Sequence, residues 1–418
     1  MKNKMLMPYL LFAICIMINS TLISQTCLPD GITFYSQADV ANFSLNYPDC
    51  NSIAGNVKIQ GNIDFTGLEQ ITTIEGGIIC NECSGFENFQ GLNNLTSLGF
   101  LSWDEGAAFS FSGLESLVHV VEGISLDEAN FDSFAGMSAL ETVGGDFTIS
   151  ECRFDAFNGP VLLESIGGSL ILQETSDLTS INSLSNLVSI GDGLVIDEND
   201  DLVAIMGLSQ VSFLGGELHV TDNPVLASLS GLDLITSIGG DLFIEECHLL
   251  ENLNGLDGII SMAGAISISE NDNITDILGI AQINPESITE LQINLCPQLS
   301  FCSVASVCGF LNINTELSLF GENLADCNTS DEILANCEVN SITEEDNAVF
   351  SLMTNQVVNE LVIQYNKNHA FMILDSMGRV VMEFTHTGTP IDVSVLSAGF
   401  YFVRVEGVEG KALRFQKM

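Results

Sequence analysis

The stretch from Gly215 to Ile238 contains the repeat from which most of this chain is built. Its apolar residues stand two apart and then, after Asn223, three apart, at Leu218, Val220, Leu226, Leu229, Leu232, Ile235 and Ile238. The pattern restarts at Leu242, so the period is 24 residues. A helix repeats every 3.6 residues and a strand every 2, and neither alone gives this spacing. The pattern predicts a short strand followed by a coil that turns every third side chain inward.

The strand pair recurs at intervals of 21 to 25 residues. Its positions are Val57/Ile59, Ile78/Cys80, Leu101/Trp103, Ile124/Leu126, Phe147/Ile149, Leu170/Leu172, Leu194/Ile196, Leu218/Val220, Leu242/Ile244, Ile266/Ile268 and Leu291/Ile293. This predicts an all-β fold, a parallel β-solenoid of about eleven coils over residues 51–300, with stability arising from the stack. Before many strands, at Gly76, Gly144, Gly167, Gly215 and Gly239, we expect a sharp turn with positive φ.

Residues 1–25 have the layout of a signal peptide, because Lys2 and Lys4 precede a short apolar run. We therefore predict export through the Sec translocon, with cleavage near Gln25. A membrane anchor is the alternative, although the run is short for a span. No later segment is typical of a transmembrane helix, so none is expected in the mature chain.

The cysteines also indicate an exported protein. Removal of Cys15 with the signal leaves eleven of the 12 cysteines, an odd number that predicts at least one unpaired thiol. Residues 26–50 are predicted to form an N-terminal cap closed by a Cys27–Cys50 disulfide. Residues 301–337 are predicted to form a C-terminal cap with short helices at 304–311 and 329–335. Cys302, Cys308, Cys327 and Cys337 would give it two disulfides, with all three connectivities open.

Four further cysteines share one position in the repeat, three residues after the second strand position. They are Cys83, Cys152, Cys247 and Cys296, and other coils place Asn62, Asn199, Asn223 and Asn271 there. Either a buried thiol or an Asn that bonds the backbone suits such a turn. We interpret the four as mostly unpaired packing cysteines. The alternative for Cys80 and Cys83 is a redox or zinc role.

The pattern Leu-x-Ile-x-x-Asn-x-x-Leu, preceded by Ser-Ile-Gly-Gly, resembles the receptor L domain, a β-solenoid relative of leucine-rich repeats. The resemblance covers about residues 51–300. In leucine-rich repeats the next Leu follows the Asn by two residues, whereas here it follows by three. This difference favours a solenoid with little helix.

Residues 338–347 predict a polar linker, and alternating apolar runs in 348–418 predict a small antiparallel β-sandwich. The motifs Asp-Ser-Met-Gly-Arg from Asp375 and Ile-Asp-Val-Ser from Ile391, with the final Phe-Gln-Lys, resemble the type A sorting domain of the type IX secretion system. The Pro-Asn-Pro that often opens such domains is absent. The resemblance implies a protein released from or displayed on a Gram-negative cell. It also implies a signal read by the type IX machinery, formed by Asp375, Gly378, Arg379, Asp392, Leu396, Gly399, Tyr401, Arg404 and Lys417.

A column of carboxylates stands two residues after the second strand position. It comprises Glu82, Glu105, Glu128, Glu151, Glu174, Glu198, Asp222, Glu246 and Glu270. Strands stacked in register would bring successive carboxylates to about 4.8 Å. One hypothesis is that the column holds Ca²⁺ or another divalent cation, since hard oxygen ligands suit such ions. The alternative is a solvated acidic edge that aids solubility. No other cofactor is expected.

The outward strand positions suggest a second candidate site. Ile171, Val195, His219 and Phe243 would occupy four adjacent strands and form an apolar binding face for a protein or a glycan. The alternative is that these residue types merely favour strands.

Composition narrows the function. A net charge of −45 argues against nucleic-acid binding. His119, His219 and His248 fall at unrelated repeat positions, and the carboxylates form a regular column rather than one distinct pair. The sequence therefore predicts a non-catalytic surface or secreted binding protein, used in adhesion or recognition. The alternative is a β-helix polysaccharide lyase or hydrolase. The ligand is not readable from the sequence.

Overall fold

The computed structural model describes most of the chain beyond residue 25. The described residues are 26–61, 63–83, 85–106, 109–131, 133–154, 157–340, 351–352, 356–357, 359–361, 363–364, 370–375, 379–385, 390–405 and 412–417. The predicted signal peptide and most of the predicted linker lie outside them. The chain divides into two compact units, Met1–Leu249 and Leu250–Met418.

In the first unit, each coil contributes one strand to a column that we call the main column. Its strands are Ile32–Phe34, Val57–Ile59, Thr73–Cys83, Ser97–Gly106, Ile124–Asp127, Phe147–Ser150, Leu170–Gln173, Leu194–Asp197, Leu218–Thr221 and Leu242–Glu245. A second column of two-residue strands comprises Thr26–Cys27, Ser52–Ile53, His119–Val120, Thr142–Val143, Ser165–Ile166 and Ser189–Ile190. The long strands Thr73–Cys83 and Ser97–Gly106 take part in both columns. Short 3-10 helices lie at Ala135–Met137, Asn182–Leu184 and Met206–Leu208.

The main column is parallel and in register. Leu194 pairs with Leu218, and Leu218 pairs with Leu242, so equivalent repeat positions lie side by side. In the coil arm, every third residue from Leu226 to Ile238 is apolar and buried. The prediction of a short strand followed by a coil that turns every third side chain inward is therefore confirmed for this repeat. The strand-rich structure is also consistent with the all-β class.

The arms of the first unit are filled in two ways. Between Phe65 and Phe157 they carry aromatic rings, and one stack joins Phe65, Phe89, Phe111, Phe134 and Phe157 with centroid separations of 5.9, 5.9, 5.1 and 4.7 Å. Between Leu178 and Ile238 the buried residues of the arm are aliphatic. In the aromatic coils the step from Ala129 to Phe131, and from Cys152 to Phe154, is two residues. The three-residue step predicted for the whole repeat therefore does not hold here.

The glycines before the strands do not have the positive φ that we expected. Gly76, Gly144, Gly167, Gly215 and Gly239 all lie outside the left-handed region. They are required by close stacking instead, because a Cβ on Gly239 would lie 1.9 Å from the carbonyl oxygen of Gly215. The turns of successive coils thus pack backbone against backbone.

The N-terminal cap takes part in the strand column. Ile32–Phe34 pairs with Val57–Ile59, and the short helices Gln37–Ala41 and Phe43–Asn46 follow it. The ring of Phe43 packs on Phe34 at 6.2 Å. The cap is therefore a modified coil that covers the apolar end.

The second unit begins with further coils. Its strands Gly264–Ser269, Ile288–Asn294 and Ser318–Gly321 are parallel and paired in that order, with 3-10 helices at Leu278–Ile280, Pro285–Ser287 and Thr315–Leu317. The C-terminal cap contains helices Ala305–Asn314 and Ser330–Asn340. Thr329 caps the second of these, since its Oγ1 accepts a hydrogen bond from Glu332 N at 3.2 Å. Residues 338–340 belong to this helix, so the predicted linker begins too early.

The C-terminal segment forms a small β domain. Its strands are Ser351–Leu352, Gln356–Val357, Glu360–Leu361, Ile363–Gln364, Ala370–Asp375, Val380–Thr385, Ile391–Asp392, Gly399–Val405 and Ala412–Lys417. The main sheet has five strands and is antiparallel except where Gln356–Val357 pairs parallel with Ala412–Lys417. Its core includes Ile373, Val403 and Phe415.

The described residues contain four disulfides, Cys27–Cys50, Cys80–Cys83, Cys302–Cys327 and Cys308–Cys337. The first is the predicted closure of the N-terminal cap, and the last two select one of the three connectivities left open for the C-terminal cap. The interpretation of Cys83 as unpaired is wrong. After Cys80 the chain turns at Glu82, whose φ is 54°, and this turn returns Cys83 to a Cα separation of 5.8 Å from Cys80, within disulfide reach.

Candidate binding face and sorting segment

The four predicted binding residues form one continuous strip on the outward face of the main column. Ile171 pairs with Val195, Val195 with His219, and His219 with Phe243. Their Cα atoms alternate with the buried strand residues, so all four side chains point away from the core. Each of the four is half-buried rather than fully exposed. We call these residues the apolar strip.

Two members of the apolar strip are held by an aromatic stack. The rings of His219 and Phe243 lie 4.4 Å apart with an interplanar angle of 17°. Nε2 of His219 is buried and has no hydrogen-bond partner among the described residues. The stack therefore presents a flat, largely apolar surface on a rigid strand.

The acidic column coincides with a repeated backbone conformation. All nine carboxylate residues have φ between 46° and 55°, in the left-handed region that non-glycine residues seldom adopt. Backbone bonds between coils support it, since Glu198 N donates to Thr221 O at 3.2 Å and Asp222 N donates to Glu245 O at 3.0 Å. Within the first unit, from Glu82 to Glu246, the turn thus aims one carboxylate per coil along the same edge. Glu322 in the C-terminal cap adopts the same conformation, which sequence reasoning missed, and Leu295 adopts it without a charge.

Like charges in this column act on one another. The neighbouring carboxylates of Glu105 and Glu151 raise the pKa of Glu128 above its ordinary value. Glu174 is the main cause of the raised pKa of Glu198. Within the described residues, no group of three or more His, Cys, Asp or Glu side chains is placed to hold a metal ion. The cation hypothesis therefore stays a prediction.

The column of Asn and Cys residues fixes this turn from inside. Asn199 Nδ2 donates to Leu172 O at 3.0 Å and Asn223 Nδ2 to Ile196 O at 2.9 Å, each in the preceding coil. Cys152 Sγ makes the equivalent contact with Leu126 O at 3.5 Å, and Cys247 Sγ with Val220 O at 3.5 Å. A thiol and a carboxamide thus donate to carbonyl groups at equivalent positions of the preceding coil.

These thiols are poor nucleophiles. Cys152 and Cys296 are free and buried, as predicted, and burial raises the pKa of Cys152 to about 12 and that of Cys296 to about 11. Burial also raises the pKa of Cys247 to about 12. Since the thiolate is the reactive form, the column is suited to packing. Asn323 continues it into the C-terminal cap, where its Nδ2 donates to Ile293 O at 2.9 Å, a role that the sequence analysis did not assign.

The predicted sorting residues lie in the C-terminal domain. Asp375 and Arg379 form an ion pair, with Arg379 Nη2 2.7 Å from Asp375 Oδ2 and Arg379 N donating to Asp375 Oδ1 at 2.9 Å. Hydrogen bonds from Ser394 lower the pKa of Asp392. The Tyr401 hydroxyl donates to Ser397 O at 3.1 Å.

The remaining sorting residues are spread over the same domain. Leu396 packs against its core and Lys417 is buried, while Gly399 and Arg404 lie on the strand Gly399–Val405. Gly378 lies outside the described residues. The structure therefore places the described members in one domain. The ion pair between Asp375 and Arg379 is the clearest polar contact among them.

Comparison with known protein families identifies this segment. Residues 355–416 match the family described as the secretion system C-terminal sorting domain. A type IX sorting domain is therefore present, and it indicates a secreted or cell-surface protein. The match does not extend to the coils, for which the resemblance to receptor L domains stays a prediction.

A search of curated proteins found no relative of this chain. Among the described residues, no helix combines the length and the apolar character that a membrane span requires.

Proposed function

We propose that this chain is a non-catalytic binding or adhesion protein, exported by type IX secretion, whose coils present a ligand-binding strand face. The observation that carries the proposal is the combination of a sorting domain with a regular in-register stack whose outward side chains form the apolar strip. Rigid strands suit this role because little side-chain freedom is lost when a partner is bound.

The location is proposed in more detail than the family match gives. The protein acts on the exterior of a Gram-negative outer membrane or in the medium, after passage through the Sec translocon and the type IX machinery. Deleting 347–418 should leave the coils in the periplasm, as measured by fractionation and surface proteolysis. A matched variant, Val395→Ala at a highly exposed site of the same domain, should be exported normally. Surface export of the truncated chain would refute this route.

The binding role is tested at the apolar strip. The double variant Val195→Asp/Phe243→Asp should lose attachment of the purified protein to host cells or to polysaccharide surfaces, because it places two charges on the proposed contact. The double variant Val188→Asp/Val203→Asp is the control, since both are exposed apolar residues of the same unit that lie outside the strip. Unchanged attachment of the double variant would contradict the proposal.

The second candidate is a carbohydrate-active enzyme that uses two carboxylates. The raised pKa values of Glu128 and Glu198 favour it, because glycoside hydrolysis needs one carboxyl that stays protonated. Both shifts arise from neighbours in a repeated column, however, and no single pair differs from the rest. A reducing-sugar assay on a polysaccharide panel separates the two functions, and turnover of any substrate would favour the enzyme.

A further inference from the structure

A groove of about 390 Å³ crosses three coils of the first unit and adjoins the apolar strip, because Thr148 in its lining pairs with Ile171. It is lined by Phe100, Leu101, Ser102, Glu122, Gly123, Ile124, Ser125, Asp146 and Thr148. The groove is open to solvent rather than enclosed, so it suits an extended ligand that lies across the strands better than a small molecule held in a cavity. The repeat pattern places Ser102, Ser125 and Thr148 on the outward strand face, but it does not predict a groove there.

The groove exists because one side chain is missing from a column. Leu101, Ile124 and Phe147 are paired in register, so the residues before them, Phe100, Gly123 and Asp146, also occupy equivalent positions. Gly123 leaves a gap between the ring and the carboxylate. A Cβ there would lie 2.8 Å from the carbonyl oxygen of Asp146, so the close approach of the next coil requires glycine.

The walls and floor of the groove have different chemistry. Phe100 is half-buried and its ring lies across Gly77, where a Cβ would come within 2.3 Å of the ring. Ser102, Ser125 and Thr148 form the floor as three hydroxyls in register. Three strands at about 4.8 Å place these hydroxyls along roughly 10 Å.

The backbone of these strands is already hydrogen-bonded. Leu101 N donates to Gly123 O at 3.0 Å, Ile124 N to Asp146 O at 2.9 Å and Phe147 N to Ser169 O at 2.8 Å. A peptide therefore cannot add to this sheet as a strand, because strand addition needs unpaired backbone groups. A ligand must be recognised by the side chains, and serine and threonine hydroxyls both donate and accept.

The charges around the groove are of one sign. Glu122 and Asp146 stand at one end, and both are exposed. Asp104 and Asp127 follow the floor residues at the other end of the same strands. No Lys or Arg lines the groove. A ligand with carboxylate or sulfate groups would be repelled, whereas carboxylates readily accept hydrogen bonds from hydroxyl or ammonium groups.

We propose that this groove binds a short stretch of a polysaccharide without negative charge. The ring of Phe100 packs on the apolar face of one sugar, the three floor hydroxyls pair with sugar hydroxyls, and Glu122 accepts from the ligand at the groove's end. The proposal rests on the proposed binding function, adds a ligand class to it and extends the contact region along the same outward strand face.

The test measures binding of three hexasaccharides to the purified full-length protein by calorimetry. A neutral glucose oligomer and a glucosamine oligomer should bind, and a galacturonate oligomer should not. Phe100→Ala and Glu122→Gln should each weaken binding by about tenfold, as expected for the loss of one ring contact or one charge-assisted hydrogen bond. Ser125→Trp, which fills the groove, should abolish it.

Two substitutions in the same unit serve as matched controls. Phe213→Ala removes a half-exposed ring and Glu164→Gln removes an exposed carboxylate, both outside the groove. Neither should change the dissociation constant. Thermal unfolding of each variant should be measured to check that the coils remain folded.

Several outcomes would overturn the proposal. They are equal binding of the galacturonate oligomer, sugar binding that survives Phe100→Ala, Glu122→Gln and Ser125→Trp, and binding of oligolysine without any sugar. If no sugar binds while attachment through the apolar strip persists, the groove proposal fails and the proposed function stands. If both kinds of binding are absent, both fail.

Discussion

The aromatic coils and the aliphatic coils of the first unit share their strand register and their acidic turn but have different interiors. Between Phe65 and Phe157 stacked rings fill the arms, and between Leu178 and Ile238 leucine and isoleucine do. The acidic turn has φ of 46° at Glu128 in the first group and 53° at Glu198 in the second. The difference teaches that strand register and turn conformation set the coil, while the arm accepts any filling of suitable volume.

The internal turn column also differs between the two regions. The aliphatic coils place Asn199 and Asn223 there, whose amides bond the preceding coil and each other, with Asn199 Nδ2 3.3 Å from Asn223 Oδ1. The aromatic coils have Ala129 and Cys152, which are smaller. The two coils that contain these residues are also one residue shorter after the turn. The side chains of Phe131 and Phe154 therefore enter the core two residues after the turn position. The space beside the turn is thus filled by an amide network in the aliphatic coils and by an aromatic ring in these two aromatic coils.

The largest expected effect is at the ring stack. Phe134 contacts five rings, at 4.7 to 5.8 Å between centroids. Phe134→Ala should lower the free energy of unfolding by about 3–5 kcal/mol, because it removes buried area and leaves a cavity. Phe134→Ile is the control, since Ile205 precedes the equivalent 3-10 helix in the aliphatic region. Denaturant unfolding checks both, and an equal loss in the two variants would show that an aliphatic side chain cannot replace the ring.

The second effect concerns the amide network. Asn223→Ala should destabilise the protein by about 1–3 kcal/mol, because buried backbone carbonyls lose their donors. Asn223→Cys should cost less, since Cys247 serves the same type of carbonyl in the next coil. The order of the two midpoints in a denaturant titration checks this. A cysteine variant no better than alanine would contradict the equivalence of the two residue types.

A smaller effect is expected where the two regions are alike. Glu198→Asn should stabilise the protein by up to about 1 kcal/mol, because asparagine tolerates the left-handed conformation better than glutamate. Thermal unfolding with added Ca²⁺ and with EDTA tests the cation hypothesis in the same experiment. If the melting temperature of the unsubstituted protein is the same in both, the acidic column does not hold Ca²⁺.

The smallest effect is a pH dependence shared by both regions. The pKa values of Glu128 and Glu198 are raised by like charges, so the folded state binds protons more tightly than the unfolded state just above pH 4.5. Stability contributed by these groups should therefore fall as the pH rises through their folded pKa values toward 7.

Unfolding midpoints at pH 5 and pH 7 measure this change, and added salt should reduce it. The double variant Glu128→Gln/Glu198→Gln should show a smaller difference between the two pH values. A difference as large as that of the unsubstituted protein would assign the pH dependence to other groups.

The sequence was most informative where the repeat is strict. Residues such as Leu218 and Val220 could be placed on a strand because their neighbours 24 residues away share the pattern. The pairing of Cys83 was missed because the repeat placed it with the turn column, and only the geometry of the turn at Glu82 brings it to Cys80.

The candidate sites were less predictable. The apolar strip follows from counting outward positions, but the His219–Phe243 stack depends on side-chain torsions. The groove was not predicted, because it arises from a side chain that is absent, at Gly123, between two residues 46 positions apart in sequence, Phe100 and Asp146. A repeat pattern shows which residues recur, and this groove lies where one does not.

The internal turn column gives the stack a direction. Each amide or thiol, from Cys152 to Asn223, donates to a carbonyl of the coil before it. A new coil can therefore bond its turn to a folded neighbour as it emerges, and the next coil then bonds the same turn from the other side, as Thr221 O does when it accepts from Glu198 N. If the protein is exported through the Sec translocon as proposed, the N-terminal coils emerge first, and we expect vectorial folding in which each new coil is templated by the last.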